Sequence, residues 1–381
     1  MNAPPTLPRY FQARLPQALE LLKHMVELES HSLDKSGVDA FAAFLAREFE
    51  QRGAKTTILQ QPVRGNQLKA FWDSGRAAKP VLMLGHLDTV WPPGSTQIRP
   101  FRIEDGRAYG PGVFDMKAGI LLCLLICGAF RDAAAVPARN VVFLFTSDEE
   151  IGTEAGLELL RMTAGECHAV LCLEPPLPGG AAKTFRKGVG TFTVKVRGRA
   201  AHAGVDHAKG ANAIQELCRI VLQAQSMTDY ERGITINAGT IRGGTASNVV
   251  PDEAEAEIDF RVPSLADSAW VEDRIRRLGP LDPRCTVEIT GGLNRPPLER
   301  SDAVLRLYGK ARSAALALGI DLGEGPSGGG SDGSFTAAMG IPTLDGLGCS
   351  GDGAHAGNEH VEVADVPRRA AFLCRLLQDL E

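Results

Sequence analysis

Three short, uninterrupted apolar runs, each followed by acidic or imidazole side chains, constrain the fold of this chain more than any other feature. The runs are residues 81–84, 141–145 and 170–173, and the stretches between them have helical periodicity at 118–130 and 153–162. Short apolar runs that alternate with helices are typical of strands buried on both faces of a parallel sheet. The sequence therefore predicts an α/β sheet domain whose strands end in polar groups at one edge.

The order of predicted elements changes after residue 187 and returns to the first pattern at residue 297. Between these points the elements follow as β-α-β-β-α-β, at residues 189–196, 212–227, 234–241, 254–262, 270–278 and 285–289. This order is that of a ferredoxin-like unit. A chain of 381 residues also exceeds the usual size of a single hydrophobic core. We therefore expect a discontinuous α/β domain of residues 1–186 and 297–381, with an inserted ferredoxin-like domain of residues 187–296.

Charge and hydrophobicity argue against several classes of protein. The formal net charge of −5 comes with no basic cluster, so no nucleic-acid partner is expected. Residues 1–14 lack the apolar core of a signal peptide, and the apolar run 120–126 is too short to span a bilayer. The 8 cysteines form no paired Cys-x-x-Cys motifs, so we expect buried thiols rather than a thiolate metal site. The prediction is a cytoplasmic protein without a membrane partner.

His86 and Asp88 follow the first apolar run. They lie two positions apart on an extended chain, so their side chains point to the same side. A metal-bound imidazole usually donates its second N–H to a carboxylate, which makes His86 a candidate ligand and Asp88 its partner. A solvated His–Asp pair at the end of a strand is the alternative interpretation.

Asp115 lies in a glycine-rich turn directly ahead of the helix predicted at 118–130. A carboxylate in such a turn can reach two cations. An isolated Asp at this place is also a common helix N-cap, so this residue alone leaves both interpretations open.

Three consecutive acids, Asp148, Glu149 and Glu150, follow the second apolar run. Their mutual repulsion is costly unless cations neutralise it, and adjacent side chains point in different directions, so one can bind metal while another moves protons. Acidic residues that open the helix predicted at 153–162 would explain one or two of them, but not the whole set.

Glu174 follows the third run, and two histidines, His355 and His360, lie near the end of the chain. Either histidine could be a ligand, and a loop histidine in water is the alternative for each. Three strands thus deliver acids or imidazoles at their carboxyl ends, where open α/β sheets bind ligands. Nitrogen and oxygen ligands suit zinc, and a carboxylate able to bridge indicates two ions about 3.5–4 Å apart.

The order and spacing of these motifs resemble the zinc-dependent aminoacylase and carboxypeptidase family, which includes glutamate carboxypeptidase (carboxypeptidase G), acetylornithine deacetylase and succinyl-diaminopimelate desuccinylase. The resemblance covers nearly the whole chain. It rests on the motifs around His86, Asp115, Glu149 and Glu174, on Gly198-x-x-Ala-His-Ala-Gly204, Ser247-Asn-Val-Val-Pro251 and Asp259-x-Arg261 in the predicted insert, and on Gly330-Ser-Asp332 and His355-x-x-x-Glu359.

The resemblance implies a centre of two zinc ions in an α/β zinc-hydrolase catalytic domain. In that centre Asp115 bridges the two ions. His86 and Glu174 complete one site, and Glu150 and His355 complete the other. The resemblance also implies a cis peptide bond after the bridging acid.

Further roles around the metals are implied in the same way. Asp88 orients the imidazole of its neighbour, and Glu149 is the general base that later protonates the leaving amine. Arg261 and Asn248 hold the substrate carboxylate. The insert is a dimerisation domain, from which His202 stabilises the oxyanion at the active site of the neighbouring subunit of a homodimer.

Gly329 and Gly330, together with Glu174 in place of Asp, resemble the glutamate carboxypeptidase branch, and the two glycines are expected to bind substrate. The expected function is cleavage of the amide bond of an N-acylated amino acid with a free carboxylate, with release of a C-terminal glutamate. An aminoacylase, a dipeptidase or an acetylornithine deacetylase-like amidohydrolase is the alternative. A catalytically silent binding protein on the same fold is a third possibility, and its mark would be a missing ligand or base.

Overall fold

The structure of the protein, a computed structural model, describes residues 6–381. These residues form two compact units. The first unit contains the described residues through Phe185 together with Arg300–Ser327 and Ser331–Glu381. The second unit contains Arg186–Glu299 and Gly328–Gly330.

The helices and strands are numbered separately in chain order. The helices are α1 (Leu7–Gln12), α2 (Leu15–Glu27), α3 (Lys35–Gln51), α4 (Ser95–Ile98), α5 (Ala118–Arg131), α6 (Leu157–Gly165), α7 (Ala213–Gln225), α8 (Leu265–Arg276), α9 (Asp302–Leu316), α10 (Gly333–Ala338) and α11 (Asp365–Asp379). The strands are β1 (Lys55–Leu59), β2 (Gln67–Trp72), β3 (Val81–His86), β4 (Arg102–Glu104), β5 (Arg107–Tyr109), β6 (Val141–Thr146), β7 (Ala169–Cys172), β8 (Ala182–Arg186), β9 (Gly188–Arg197), β10 (Ala201–His202), β11 (Thr235–Gly243), β12 (Val249–Val250), β13 (Glu253–Val262), β14 (Thr286–Arg295), β15 (Glu324–Ser327), β16 (Thr343–Leu344), β17 (Gly351–Asp352) and β18 (His360–Glu362).

The main sheet of the first unit has the strand order β1-β2-β6-β3-β7-β16. Strands β6, β3, β7 and β16 run parallel, and β2 and β1 extend the sheet antiparallel at one edge. His86 at the end of β3 lies beside Thr146 of β6, and Leu84 lies beside Cys172 of β7. The three predicted strands therefore end at the same edge, and the loops that follow them start close together.

Both faces of this sheet are covered, which explains why its strands are continuously apolar. Side chains alternate between the faces, so neighbouring strands contribute matched rows to two hydrophobic clusters. One row is Met83, Phe143 and Leu171, and the other is Leu82, Val142 and Val170. The first cluster is completed by α2, α3, α5 and α11, and the second by α6 and α10.

A smaller antiparallel sheet of the first unit has the order β17-β18-β5-β4. His360 of β18 pairs with Tyr109 of β5, and Gly351 of β17 pairs with Val361. The loop 353–359 joins β17 to β18. The segment 110–117 follows β5, the strand that pairs with β18. This sheet therefore places the loop of His355 beside the segment that contains Asp115.

The second unit is built on an antiparallel sheet with the order β11-β13-β9-β14. Its elements follow the chain as β9, α7, β11, β13, α8 and β14, in agreement with the predicted β-α-β-β-α-β order. Residues from the sheet and from both helices share one core, including Phe192, Ile258, Ile220 and Val271. The short strands β10 and β12 form a separate two-stranded ladder.

Within the second unit Arg186 pairs with Leu298, and its guanidinium donates to the carbonyls of Gly329 and Gly330. The structure differs from the sequence prediction at one helix. The helix predicted at 153–162 begins only at Leu157. The carboxylate of Asp148 accepts from two backbone N–H groups ahead of that helix and holds the chain there as a loop.

One stretch, Val113–Arg131, is long and apolar enough to meet the criteria for a membrane span, but 83% of that window is buried inside the protein. It contains α5, a core helix of the first unit. All eight cysteines lie in the described residues and are free thiols. Seven are buried, as predicted, and Cys218 is the exposed exception.

Candidate active site

Five loops of the first unit bring the predicted polar residues together. Three of them follow β3, β6 and β7, one follows β5, and one joins β17 to β18. In that order they carry Asp88, Glu149 with Glu150, Glu174, Asp115 and His355, and His86 is the last residue of β3 itself.

The carboxylate of Asp115 lies between two imidazoles. Its Oδ1 is 3.2 Å from Nε2 of His86, and its Oδ2 is 3.4 Å from Nε2 of His355. Nε2 of His86 is also 3.5 Å from Oε1 of Glu174, whereas Nε2 of His355 is 3.1 Å from Oε2 of Glu150. One carboxylate therefore belongs to two groups of nitrogen and oxygen atoms, which is the grouping expected from the sequence.

The charges in this cluster favour bound cations. Hydrogen bonds with Asp115 and Glu150 raise the pKa of His355 to about 10. Burial alone would lower the pKa of His86, but hydrogen bonds with Asp115, Asp88 and Glu174 raise it well above its usual value. Burial raises the pKa of Glu150. The carboxylates thus stabilise positive charge at this place, whether protons or a metal ion supply it.

The residues present fit a metal centre. The ligand atoms of His86, Glu149 and Glu174 lie within 4.8 Å of one another, as do those of His86, Asp115 and Glu150. Oε1 of Glu150 is buried without a hydrogen-bond partner among the described residues. A buried carboxylate oxygen without a donor is costly, and a cation would satisfy it. This mixture of imidazole and carboxylate ligands is typical of zinc.

Asp88 acts on His86 mainly through its backbone. The carbonyl oxygen of Asp88 is 2.9 Å from Nδ1 of His86, whereas its carboxylate Oδ1 is 3.4 Å away. The Nδ1–H therefore donates to the carbonyl and leaves Nε2 as the ligand atom. The carboxylate instead accepts from the backbone N–H groups of Glu149 and Glu150, at 3.1 and 3.2 Å, and from the hydroxyl of Ser32 at 2.7 Å. The orienting contact thus differs from the predicted one, and the carboxylate fixes the two acids.

Met116 connects the segment of Asp115 to the strand that ends at His86. The peptide bond between Asp115 and Met116 is cis, as the resemblance implied. Sδ of Met116 accepts from the backbone N–H of His86 at 3.3 Å. A Cβ at Gly85 or Gly119 would lie within 3.0 Å of the Met116 methyl, so glycine at both positions permits this close packing. The motif Asp-Met-Lys could have indicated this role, whereas Ser32 gives no sequence signal, because it lies 56 residues from Asp88.

His202 and Asn248 lie in the second unit, where β10 and β12 bring them together. His202 pairs with Val249, and the backbone N–H of Ala203 donates to the carbonyl of Asn248 at 2.9 Å. The ring of His202 is exposed, and its Nδ1 accepts from the backbone N–H groups of Gly204 and Val205 at 3.1 and 3.2 Å. A neutral ring held in this way carries its proton on Nε2.

Arg261, Gly329 and Gly330 are also in the second unit. The guanidinium of Arg261 forms a fork onto Asp259, with Nε and Nη2 2.9 and 3.0 Å from the two carboxylate oxygens. The carbonyls of Gly329 and Gly330 accept from Nη1 of Arg186 at 3.1 and 2.9 Å.

Known proteins match this chain in sequence and in fold. Residues 82–379 match the sequence profile of the "Peptidase family M20/M25/M40". Carboxypeptidase G2 from Pseudomonas sp. (strain RS-16) is 29% identical over 374 residues, which cover 96% of this chain and 89% of the relative. Succinyl-diaminopimelate desuccinylase from Acinetobacter baumannii (strain ACICU) is 29% identical over 354 residues, with coverages of 87% and 91%. The crystal structure of aminopeptidase PepT from Bacillus cereus ATCC 10987 superposes with a TM-score of 0.79 at 19% identity, covering 96% of this chain and 98% of that one, and so shares the fold.

Proposed function

Because the chain belongs to the peptidase family M20/M25/M40 and is a metallopeptidase or amidohydrolase of that family, we propose that it is a two-zinc enzyme that hydrolyses the amide bond of N-acylated amino acids with a free carboxylate. The observation that carries the proposal is the position of Asp115, whose two oxygens face His86 and His355 separately. A carboxylate shared in this way suits a pair of cations.

In this proposal His86, Asp115 and Glu174 would hold one zinc ion, and Glu150, Asp115 and His355 would hold the other. Zinc held there would supply Lewis acidity for the activation of water and of the substrate carbonyl.

Glu149 is the proposed general base. Its side chain is buried within 4.8 Å of the ligand atoms of His86 and Glu174, and its backbone N–H is held by Asp88. It takes a proton from the attacking water and delivers that proton to the nitrogen of the leaving amine.

The second unit supplies the proposed substrate contacts. Arg261 and Asn248 hold the substrate carboxylate, and Gly329 and Gly330 also bind the substrate. His202 donates from Nε2 to the developing oxyanion, a role supported by the two N–H groups that its Nδ1 accepts. We place this histidine at the active site of the neighbouring subunit.

That arrangement requires a homodimer, in which the second unit acts as a ferredoxin-like dimerisation domain. Strand β11 is an edge strand with mostly exposed residues, and such an edge can pair with a second copy. The eight free thiols favour a reducing compartment, consistent with a cytoplasmic enzyme.

Glutamate is the proposed leaving amino acid, because the run Ser327-Gly-Gly-Gly-Ser-Asp332 and Glu174 resemble the glutamate carboxypeptidase branch. An aminoacylase, dipeptidase or acetylornithine deacetylase-like specificity is the alternative. A panel of N-acyl-Glu, -Asp, -Ala and -Leu compounds, each as free acid and as amide, separates these specificities after metal analysis. Hydrolysis of free-acid N-acyl-Glu alone supports the proposal. Failure of the zinc-loaded protein to hydrolyse any member would favour a silent binding protein instead.

Arg261→Ala in the same panel tests carboxylate recognition. It should raise KM for free acids and leave the amides almost unchanged. Arg284→Ala is the matched control, because Arg284 forms the same fork onto an aspartate two residues before it, Asp282. Equal losses on acids and amides would contradict the assignment of Arg261.

A further inference from the structure

Glu359 is a buried acid that lies outside the proposed ligand set. Only 3% of its surface is exposed, and its carboxylate accepts four N–H groups. Oε2 accepts from Nε1 of Trp91 at 2.6 Å and from the backbone N–H of Gly112 at 2.9 Å. Oε1 accepts from the backbone N–H groups of Phe114 and Asp115 at 2.9 and 3.1 Å. Both oxygens are therefore occupied by protein donors.

The four donors come from two segments of the chain, and Glu359 lies in a third. Its hydrogen bonds therefore connect three segments. Trp91 lies in the loop after β3, the strand that ends at His86. Gly112, Phe114 and Asp115 belong to the segment after β5. Glu359 itself ends the loop that carries His355, where β17 and β18 fix the backbone by pairing. One carboxylate thus connects the loops of three proposed metal ligands.

We propose that Glu359 is a positioning residue for the metal centre, which holds the backbone of Asp115 in place relative to His86 and His355. The inference rests on the proposed function, because it assumes that these three residues bind metal. Glu359 suits this role because a carboxylate only accepts hydrogen bonds. The side-chain amide of Gln has the same shape, but its NH₂ group would face two of the N–H donors and leave them without an acceptor. With its oxygens occupied, Glu359 acts through Asp115 and not as a ligand itself.

The test is Glu359→Gln, measured by titration of the metal-free protein with Zn²⁺ against a chelating indicator. Outer residues that hold metal ligands typically contribute about 10- to 100-fold to affinity, so the dissociation constants should rise by that factor at both sites. The matched control is Glu362→Gln. Glu362 lies three residues along the chain but is exposed and pairs with Arg107 at 3.0 Å, so its loss should change zinc affinity less than about twofold.

Amide hydrogen exchange in the metal-free protein gives a readout independent of zinc. The amides of Phe114 and Asp115 should exchange faster in Glu359→Gln than in wild type, because their acceptor is lost. If Glu359→Gln does not fold, Glu359→Asp keeps the charge but is one methylene too short to reach all four donors, and it should also bind zinc more weakly.

Zinc affinity within about twofold of wild type in the folded variants, even with a lower melting temperature, would overturn the proposal, because Glu359 would then be purely structural. A wild-type protein that binds no zinc would contradict the proposed function instead. Faster exchange of the two amides would still support the positioning of the Asp115 backbone in that case.

Discussion

Replacing Asp88 with Asn tests how the catalytic acids are held. The fully buried carboxylate accepts from the backbone N–H groups of Glu149 and Glu150 and from the hydroxyl of Ser32. Burial would raise the pKa of Asp88, but the neighbouring imidazole of His86 and the hydrogen bonds that the carboxylate accepts keep it below its usual value, so the group is an anion that only accepts. Asn has the same shape but presents an NH₂ group in place of one oxygen.

The magnitude follows from where that NH₂ group must point. In either orientation it faces the N–H of Glu149 or of Glu150, so one buried donor loses its acceptor. An unsatisfied buried N–H costs about 1–3 kcal/mol, and the free energy of unfolding of the first unit should fall by that amount. The displaced acid should also lower zinc affinity about 10- to 100-fold, and kcat should fall with it.

Denaturant unfolding of the metal-free protein, zinc titration and steady-state kinetics measure the three effects. Ser32→Ala is the control, because it removes one donor to the same carboxylate and leaves its charge and both backbone contacts intact. It should cost only about 0.5–1.5 kcal/mol, with zinc affinity and kcat close to wild type. If Asp88→Asn matched Ser32→Ala in zinc affinity and kcat, the carboxylate would not be what holds the two acids.

Three further predictions concern the chemistry. Glu149→Gln should keep its zinc but lose about 10²- to 10⁴-fold in kcat, as measured by metal analysis and kinetics, and normal turnover would end its assignment as the base. His202→Ala mixed with Glu149→Ala under conditions of subunit exchange should regain activity, whereas no recovery despite demonstrated exchange would exclude action in the neighbouring subunit. Zinc affinity should rise with pH, because below its raised pKa of about 10 the metal-free His355 carries a proton that zinc must displace. Titrations at about pH 6 and pH 8 should differ by up to about tenfold per pH unit for each proton released, and equal affinities would contradict this reading.

The sequence predicted the parts of the molecule that depend on local patterns. Continuous apolar runs indicated strands buried on both faces, and the helix expected at 118–130 is observed as Ala118–Arg131. The polar residues after those strands converge because parallel strands end at one edge of the sheet.

Contacts between distant segments could not be predicted in this way. The start of the helix predicted at 153–162 was wrong, because the carboxylate of Asp148 accepts from the backbone N–H groups of Ala155 and Gly156 and keeps these residues in a loop. The division of hydrogen bonds between the carbonyl and the carboxylate of Asp88 depends on Ser32, far away in sequence. In the sequence Glu359 is only part of the motif His355-x-x-x-Glu359, and its role could not be predicted because its four donors come from other loops.

The most direct test of the two-zinc centre is the zinc content of the purified wild-type protein and of Asp115→Ala, measured together after equilibration with Zn²⁺ and removal of loosely bound metal. The shared position of Asp115 predicts two zinc ions per chain in the wild type and loss of metal from both sites in the variant. Retention of two ions by folded Asp115→Ala would contradict the bridging role of Asp115, and fewer than two ions in the wild type would contradict the proposed two-zinc centre.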